Sequence, residues 1–488
     1  MSLMRTKSVE QSIDDTDHPE HRLKKNLTSR DLIVFGIGVI IGTGIFVLTG
    51  IQAAVNAGPA LVISFVLAAV ACTLAAMCYA EFASTVPVAG SAYTFSYATL
   101  GEFVAWIIGW DLVLEFALGA AVVSRGWSAY LQSLFGLPTW LAGDKAIPDF
   151  GAIFIVAVLA VLLVVGTKLS GRVTAVLVAV KLAVVAFVVV AGLFFIEPSN
   201  YRPFIPPAET QEAAGGLTTP LFQLMTGQAT HFGLFGIIAA ASIVFFAYIG
   251  FDVVATTAEE TKNPQRDVPR GIIGSLVICT ILYAAVTLVI TGMKKYTELN
   301  TGAPLADAFT DHGTVGDVAS KLISIGGIVG ITSVIMVLML GQSRVLFAMS
   351  RDGLLPPRLA KVHPRFGTPW IITTVTSVGV ALLAGFVPLA KLSELTSIGT
   401  LFAFVLVSIG VVVLRKKRPD LRRGFTVPGV PWLPILSIVA CVWLMLNLPA
   451  DTWIRFLIWM AAGLLIYFVY SSRNSRLAKE ERADKLTR

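Results

Sequence analysis

Charge is what this chain lacks. Asp, Glu, Lys and Arg make up only 14% of its 488 residues, against about 25% in an ordinary soluble domain. A water-exposed surface for a chain of this length cannot be built from so few charges. Cysteine is scarce too. Cys72, Cys78, Cys279 and Cys441 all fall in apolar stretches without metal-ligand spacing, so they read as small buried residues and not as a disulfide framework or a metal site. The five histidines, His18, His21, His231, His312 and His363, sit in tails and loops. No nucleophile–base pair, phosphate-binding loop or His/Cys/carboxylate cluster is visible, which argues against an enzyme and against any metal or cofactor. A cleavable leader is not expected either, because residues 1–30 are polar with no apolar core.

What the chain has instead is apolar length. Hydrophobic residues make up 56% of it, mean hydropathy is +0.79, and there are 42 glycines, a residue commoner in membrane helices than in soluble ones. Twelve apolar stretches are each long enough to cross a bilayer, which takes roughly 20 residues. They cover about 31–53, 60–86, 101–133, 150–167, 173–196, 234–258, 271–293, 319–349, 370–390, 394–415, 433–449 and 452–472. The expected fold class is therefore an all-α membrane protein with twelve transmembrane helices. Two loops, about 197–233 and 294–318, are long enough for a short surface or re-entrant helix.

The net charge of +7 does not point to nucleic acid. Most of the Lys and Arg fall in both tails and the even-numbered loops, notably Arg415, Lys416, Lys417 and Arg418. That bias places both termini in the cytoplasm. The nine Trp fall mostly near span ends, as an interface belt predicts.

Two spans are interrupted. Gly42-Thr43-Gly44 breaks the first, and Gly250 breaks the sixth within the run Phe245-Phe246-Ala247-Tyr248-Ile249-Gly250-Phe251. A break frees backbone N–H and C=O groups that lipid cannot satisfy, so such backbone lines a cavity or a ligand site. Two breaks five spans apart point to a transporter with an internal repeat and a midplane substrate site. A lone Gly-Thr-Gly could equally be a close-packing motif of small residues; the pairing favours the first reading. A half-helix starting after Gly44 offers N–H groups and a positive dipole end to a carboxylate. Half-helix ends near Ile40 and Ala247 offer carbonyls to an ammonium. Together they describe an α-amino acid, with Thr43 adding a hydroxyl and Phe246 a cover.

Ionisable residues inside a span cost about 2.5–3.5 kcal/mol on insertion scales. Lys181 lies eight residues, or roughly 12 Å, into the fifth span. It reads either as a proton-coupling group or as a cation bonded to freed carbonyls. Glu115, with Asp111 one turn earlier on the same face, reads either as a contact for a cationic side chain or proton, or as a structural hydrogen-bond partner. Asp252 is expected to bond locally beside its break. Arg125 is expected to be interfacial or ion-paired, and Glu259 and Glu260 to be solvated.

These residues stand in a recognisable order. Gly-Val-Ile-Ile-Gly-Thr-Gly-Ile-Phe at 38–46 is followed by Tyr-Ala-Glu-Phe at 79–82 and Pro-Val-Ala-Gly-Ser-Ala-Tyr at 87–93. Then come Gly-Trp-Asp-Leu-Val-Leu-Glu at 109–115, the run 245–252, Glu-Glu-Thr-Lys-Asn-Pro at 259–264, Gly-Gln-Ser-Arg at 341–344 and Ala-Met-Ser-Arg-Asp-Gly-Leu at 348–354. In this order they resemble the cationic amino acid transporter family of the amino acid–polyamine–organocation superfamily. The resemblance implies a five-plus-five inverted repeat (the LeuT-type fold) with helices 1 and 6 unwound. It divides the chain into a cytoplasmic tail (1–30), a first repeat (31–196), an extracellular loop (197–233), a second repeat (234–415), two added spans (416–472) and a cytoplasmic tail (473–488).

The resemblance also implies roles. Gly42, Thr43 and Gly44 would hold the α-carboxylate. The carbonyls of Ile40, Phe246, Ala247 and Ile249 would hold the α-amino group, with Phe246 as gate. Lys181 would replace a cation site and carry the proton coupling. Glu115 matches a third-span acid of the family, and Thr332, Ser333 or Met336 would line the side-chain pocket from span eight. The chain departs from the animal carriers, which have fourteen spans, and resembles a bacterial member. Span eight has no acid for a guanidinium. The implied activity is secondary active transport of small neutral or cationic L-amino acids in the plasma membrane, with protons and lipids as its other partners. An exchanger and a non-transporting sensor are the alternatives.

Overall fold

The computed structural model describes residue 5 and residues 26–85, 91–166, 171–210, 216–227, 230–255, 257–421 and 423–487. Residues 87–90 of the motif at 87–93, the tail and loop positions Lys7, Arg22, Lys24, Lys25, Lys168 and Arg422, His18, His21 and the Glu259 side chain lie outside that description. The chain is mostly helical. Among the described residues eight helical runs are long and apolar enough to cross a membrane, and three shorter apolar helices accompany them.

The first apolar stretch is two helices. α1 (Ser29–Ile40) starts with a capping box in which Thr28 and Asp31 bond each other's backbone. α2 follows the break through three consecutive turns, Gly44–Leu48, Thr49–Gln52 and Ala53–Ala57, the outer two of the wider π type. Next come α3 (Leu61–Thr85), α4 (Ser91–Thr99), α5 (Glu102–Phe135), α6 (Phe150–Val165) and α7 (Gly171–Gly192). Gly136 and Gly166 take left-handed conformations just past α5 and α6, where a residue with a Cβ would be strained.

The sixth stretch is again two helices, α8 (Gly233–Val244) and α9 (Phe251–Ala255), joined by the tight turn Phe245–Tyr248. The remainder is α10 (Pro264–Met293), α11 (Gly313–Arg351), α12 (Trp370–Phe386), α13 (Leu389–Lys417), α14 (Trp432–Leu446), α15 (Ala450–Ile466) and α16 (Arg476–Thr487). The two long loops hold short turns at Leu221–Thr226 and Pro304–Asp307, and a two-residue strand pair joins Glu209–Thr210 to Thr230–His231.

α5 and α11, 34 and 39 residues long, pack along one another through the middle. α5 and the α8–α9 run are mostly buried, whereas α6, α7, α12, α14 and α15 carry large apolar side chains on the outside. This inversion of the soluble pattern is what lipid as solvent demands, and it sets the broken helices at the centre of the molecule.

Both termini lie on one face. Arg5 bonds Glu481 at 2.7 Å and sits 3.7 Å from Glu102 at the start of α5. On the same face Arg415 forms a two-pronged pair with Glu81, whose carboxylate also accepts the Val427 amide. The tryptophans do not all form a belt. Trp110 stacks on Trp459 with centroids 4.4 Å apart, and each indole donates to the other's backbone carbonyl, so they lock α5 to α15.

Candidate functional site

The two breaks are packed against each other. A Cβ on Gly44 would lie 2.4 Å from the Ala247 Cα, and one on Gly250 would lie 2.7 Å from a Val39 methyl. Each break therefore admits the other only because it presents a glycine. Gly250 also has φ +120°, a conformation that residues with a Cβ rarely adopt.

Freed backbone groups at the breaks find specific partners. The Gly42 carbonyl accepts from both the Ile45 and Phe46 amides. The Tyr283 hydroxyl, from the middle of α10, stands 2.9 Å from the Ile40 carbonyl and 2.8 Å from the Ala247 carbonyl. One phenol, with one proton to give, thus touches both breaks. The Phe246 carbonyl accepts the Ile249 amide at 3.1 Å and closes the turn. Asp252 bonds locally, its carboxylate accepting the Gly250 amide at 3.2 Å.

α5 supports the first break. Gly126 leaves room for Thr43, whose hydroxyl donates to the Val123 carbonyl at 3.4 Å, and Tyr130 donates to the Phe46 carbonyl at 2.8 Å. From α11, Val334 faces Gly42. Met336 is buried on the same helix turn. Thr332 takes the Trp127 indole N–H at 3.0 Å, while Ser333 donates to the Gly330 carbonyl.

Lys181 is fully buried on α7 and its ammonium donates to the Gly38 carbonyl in α1. Its aliphatic stem runs over Gly330 of α11, where a Cβ would come within 2.7 Å of the Lys181 Cγ. The neutral Cys279 thiol of α10, one helical turn before Tyr283, lies near the ammonium. One side chain therefore ties α7, α1 and α11 together beside the first break. Glu115, also buried, lies beside Asp252 and so near the second break.

The structure thus brings together Ile40, Gly42, Thr43, Gly44, Ala247, Ile249 and Lys181, with Phe246, Met336 and Glu115 buried around them. One reading changes. Arg125 is not interfacial: it is fully buried, its guanidinium donates to the carbonyls of Asp144, Ala146 and Ala384, and the Asp144 and Asp149 carboxylates lie within electrostatic reach. Ala384 lies in the last turn of α12, where helix carbonyls have no partner within the helix. Glu260 is partly exposed, and its backbone carbonyl accepts the Asn26 and Leu27 amides. The sequence reading missed Tyr283. Its signal was available, the one phenol of its span, at mid-depth.

Residues 27–470 match the amino acid permease family model. The branched-chain amino acid permease BcaP of Bacillus subtilis (strain 168) is 46% identical over 98% of this chain and 99% of its own length. The methylthioribose transporter of the same organism is 45% identical over 94% of this chain and 95% of its own. Cationic amino acid transporter 4, vacuolar, of Arabidopsis thaliana is 33% identical over 98% and 96%. The chain is an integral, multi-pass membrane protein that belongs to the amino acid permease family of the amino acid–polyamine–organocation superfamily, with cationic amino acid transporters among its relatives.

Proposed function

We propose that this permease carries L-amino acids by alternating access across the plasma membrane, coupled to protons. The observation that carries the reading is the contact of Gly44 with Ala247 beside a buried Lys181 fastened to the same broken helix. The reading includes twelve spans in a five-plus-five inverted repeat (31–196 and 234–415) with two added spans. It puts the face that holds Arg5 and Glu481 in the cytoplasm, where the basic tails and loops place it.

The substrate carboxylate would sit at Gly42, Thr43 and Gly44, at the N-terminal end of α2. The α-ammonium would take the Ile40 and Ala247 carbonyls. An ammonium has three donors, so it can satisfy both carbonyls at once where the single Tyr283 proton cannot. Binding would then displace that hydroxyl and bridge the two breaks. Phe246 would cover the ligand, and Glu115 and Met336 would border its side chain. Loss of the Lys181 proton would release Gly38 and loosen α7 from α1, which opens the inner side.

Proteoliposome uptake of labelled alanine, leucine and arginine, with and without an inward proton gradient, tests this. Leucine and unlabelled methylthioribose as competitor are included because the two Bacillus relatives are a branched-chain amino acid permease and a methylthioribose transporter. Gradient-driven uptake that disappears in Lys181→Ala is the expected result. Uptake only into amino-acid-loaded vesicles would replace symport by exchange, and binding without uptake would make the chain a sensor.

A further inference from the structure

Beside the breaks and Lys181 lies a second group of buried polar side chains, which includes the Glu115 that would border the substrate side chain and the Asp252 that bonds Gly250. Asp111 and Glu115 lie one turn apart on α5, Asp252 joins them from α9, and the Tyr79 phenol joins from α3. All four are at most 1% exposed. Both oxygens of Asp111, the Asp252 Oδ2 and the Tyr79 hydroxyl have no hydrogen-bond partner within the protein, and the one hydroxyl that faces Glu115, that of Thr400, is given to the Thr396 carbonyl at 3.0 Å. The phenol belongs to the group: its ring packs edge-on against Phe251, the chain neighbour of Asp252, with centroids 6.0 Å apart, and all three acids lie within electrostatic reach of it. Asp111 and Asp252 lie within the same reach of Glu115.

No cation answers them among the described residues. α3 contributes Tyr79, α5 the two acids and α9 Asp252. α11 offers the neutral Gln342 at this level, and its Arg344 is exposed. α13 offers Gly399, facing Asp111, and Thr400, facing Glu115, whose hydroxyl is already given to the Thr396 carbonyl. Arg415 of α13 is occupied by Glu81. No cluster of these acids has the closeness a metal ion needs, among the described residues.

An unpaired, unbonded carboxylate in a dry interior is very costly, and acids in mutual reach cannot all be ionised. A proton is the one ligand that neutralises such a group with no new partner. We propose that Asp111, Glu115 and Asp252, with Tyr79, form a second proton-binding site, separate from Lys181, that is loaded while the inner side is closed and empties when that side opens. The route lies beside Tyr79. A cleft lined by Tyr79, Phe82, Ala92, Phe95, Ser96 and Val407 runs between α3, α4 and α13, and is too narrow for water in this conformation. Movement of α4 would wet the phenol and then the acids. This rests on the chain being a permease and not on proton coupling through Lys181.

Infrared difference spectroscopy of the full-length permease in nanodiscs, titrated between mildly acidic and alkaline pH, tests it. The expected result is a carbonyl-stretch band of protonated carboxyl groups. Part of that band should vanish in Asp111→Asn and another part in Glu115→Gln, while both parts persist in Lys181→Ala. The isosteric amides keep the fold, which thermal melting verifies, and Asp252→Asn supplies a third readout. A spectrum in which no protonated-carboxyl intensity is lost in any amide variant would overturn the proposal. So would a thermal stabilisation by sodium chloride over choline chloride that the amide variants abolish, since it would make the group a cation site.

Discussion

Gly44 rests directly on Ala247, so close that a single added carbon would lie 2.4 Å from the Ala247 Cα. The neighbour is backbone, which cannot swing aside as a side-chain tip can. Gly44→Ala is therefore expected to push the breaks apart. Overpacking of this kind commonly costs about 1–3 kcal/mol. Transport should suffer more than stability, because the same backbone is the proposed site. The variant should melt several degrees lower and lose most uptake, and Gly44→Val should lose substrate binding altogether. Undiminished affinity in Gly44→Val would remove the first break from the site.

Tyr283 bridges the Ile40 and Ala247 carbonyls that the ligand ammonium would need. Removing its hydroxyl in Tyr283→Phe leaves buried acceptors without a donor, a loss of about 1–3 kcal/mol. The substrate-free protein should melt lower. The ligand, however, would no longer have a hydroxyl to displace, so its thermal stabilising effect should grow and its Kd should fall by several-fold. Melting curves with and without a transported amino acid read both effects. A weaker Kd in Tyr283→Phe would mean that the hydroxyl contacts the ligand instead of standing in for it.

The sequence made the breaks legible because Gly42-Thr43-Gly44 and Gly250 interrupt two apolar spans that stand five apart. It also identified Lys181 and the local bond of Asp252. What it could not supply was the partner of each group. Arg125 looked interfacial by its depth, yet its partners are three carbonyls from a loop and from α12, 19 and 21 residues on in the loop and 259 residues on in α12. Gly126 and Gly330 look like two of many small membrane residues. Only the packed structure shows that one makes room for Thr43 and the other for the Lys181 stem. The carboxyl group around Tyr79 was equally hidden, because three different helices assemble it.

Asp149 lies just before α6, outside the membrane spans. It accepts the Ala152 amide and the Ser128 hydroxyl. Burial pushes its carboxyl up to about 6, against the lowering effect of those bonds and of Arg125. The folded protein then holds a proton that the unfolded chain, near 3.8, has released. This contribution to stability is complete below the unfolded value and is lost as pH rises through about 6. Asp149→Asn keeps an acceptor for the helix cap and removes the titration. Its melting temperature should vary less than that of the wild type across this window. Identical pH profiles for the two proteins would show that the group does not titrate there.

Lys181 and Gly330 test coupling from two sides. Lys181→Ala removes the ammonium that holds Gly38, so gradient-driven accumulation should vanish while substrate binding stays measurable. That variant alone does not separate a lost proton site from a lost strut. Gly330→Ala does, because it leaves the lysine intact while its Cβ would come within 2.7 Å of the Lys181 Cγ. The stem must shift, and the ammonium loses its line to the Gly38 carbonyl. If coupling depends on that bond, Gly330→Ala should uncouple as Lys181→Ala does, with several-fold weaker accumulation and binding nearly unchanged. If a charged lysine merely props the helices, Lys181→Arg should restore stability and leave accumulation as in the wild type. Proteoliposomes with an imposed gradient, assayed beside equilibrium binding for all three variants, separate these outcomes. Normal accumulation in Lys181→Ala would end the coupling role outright.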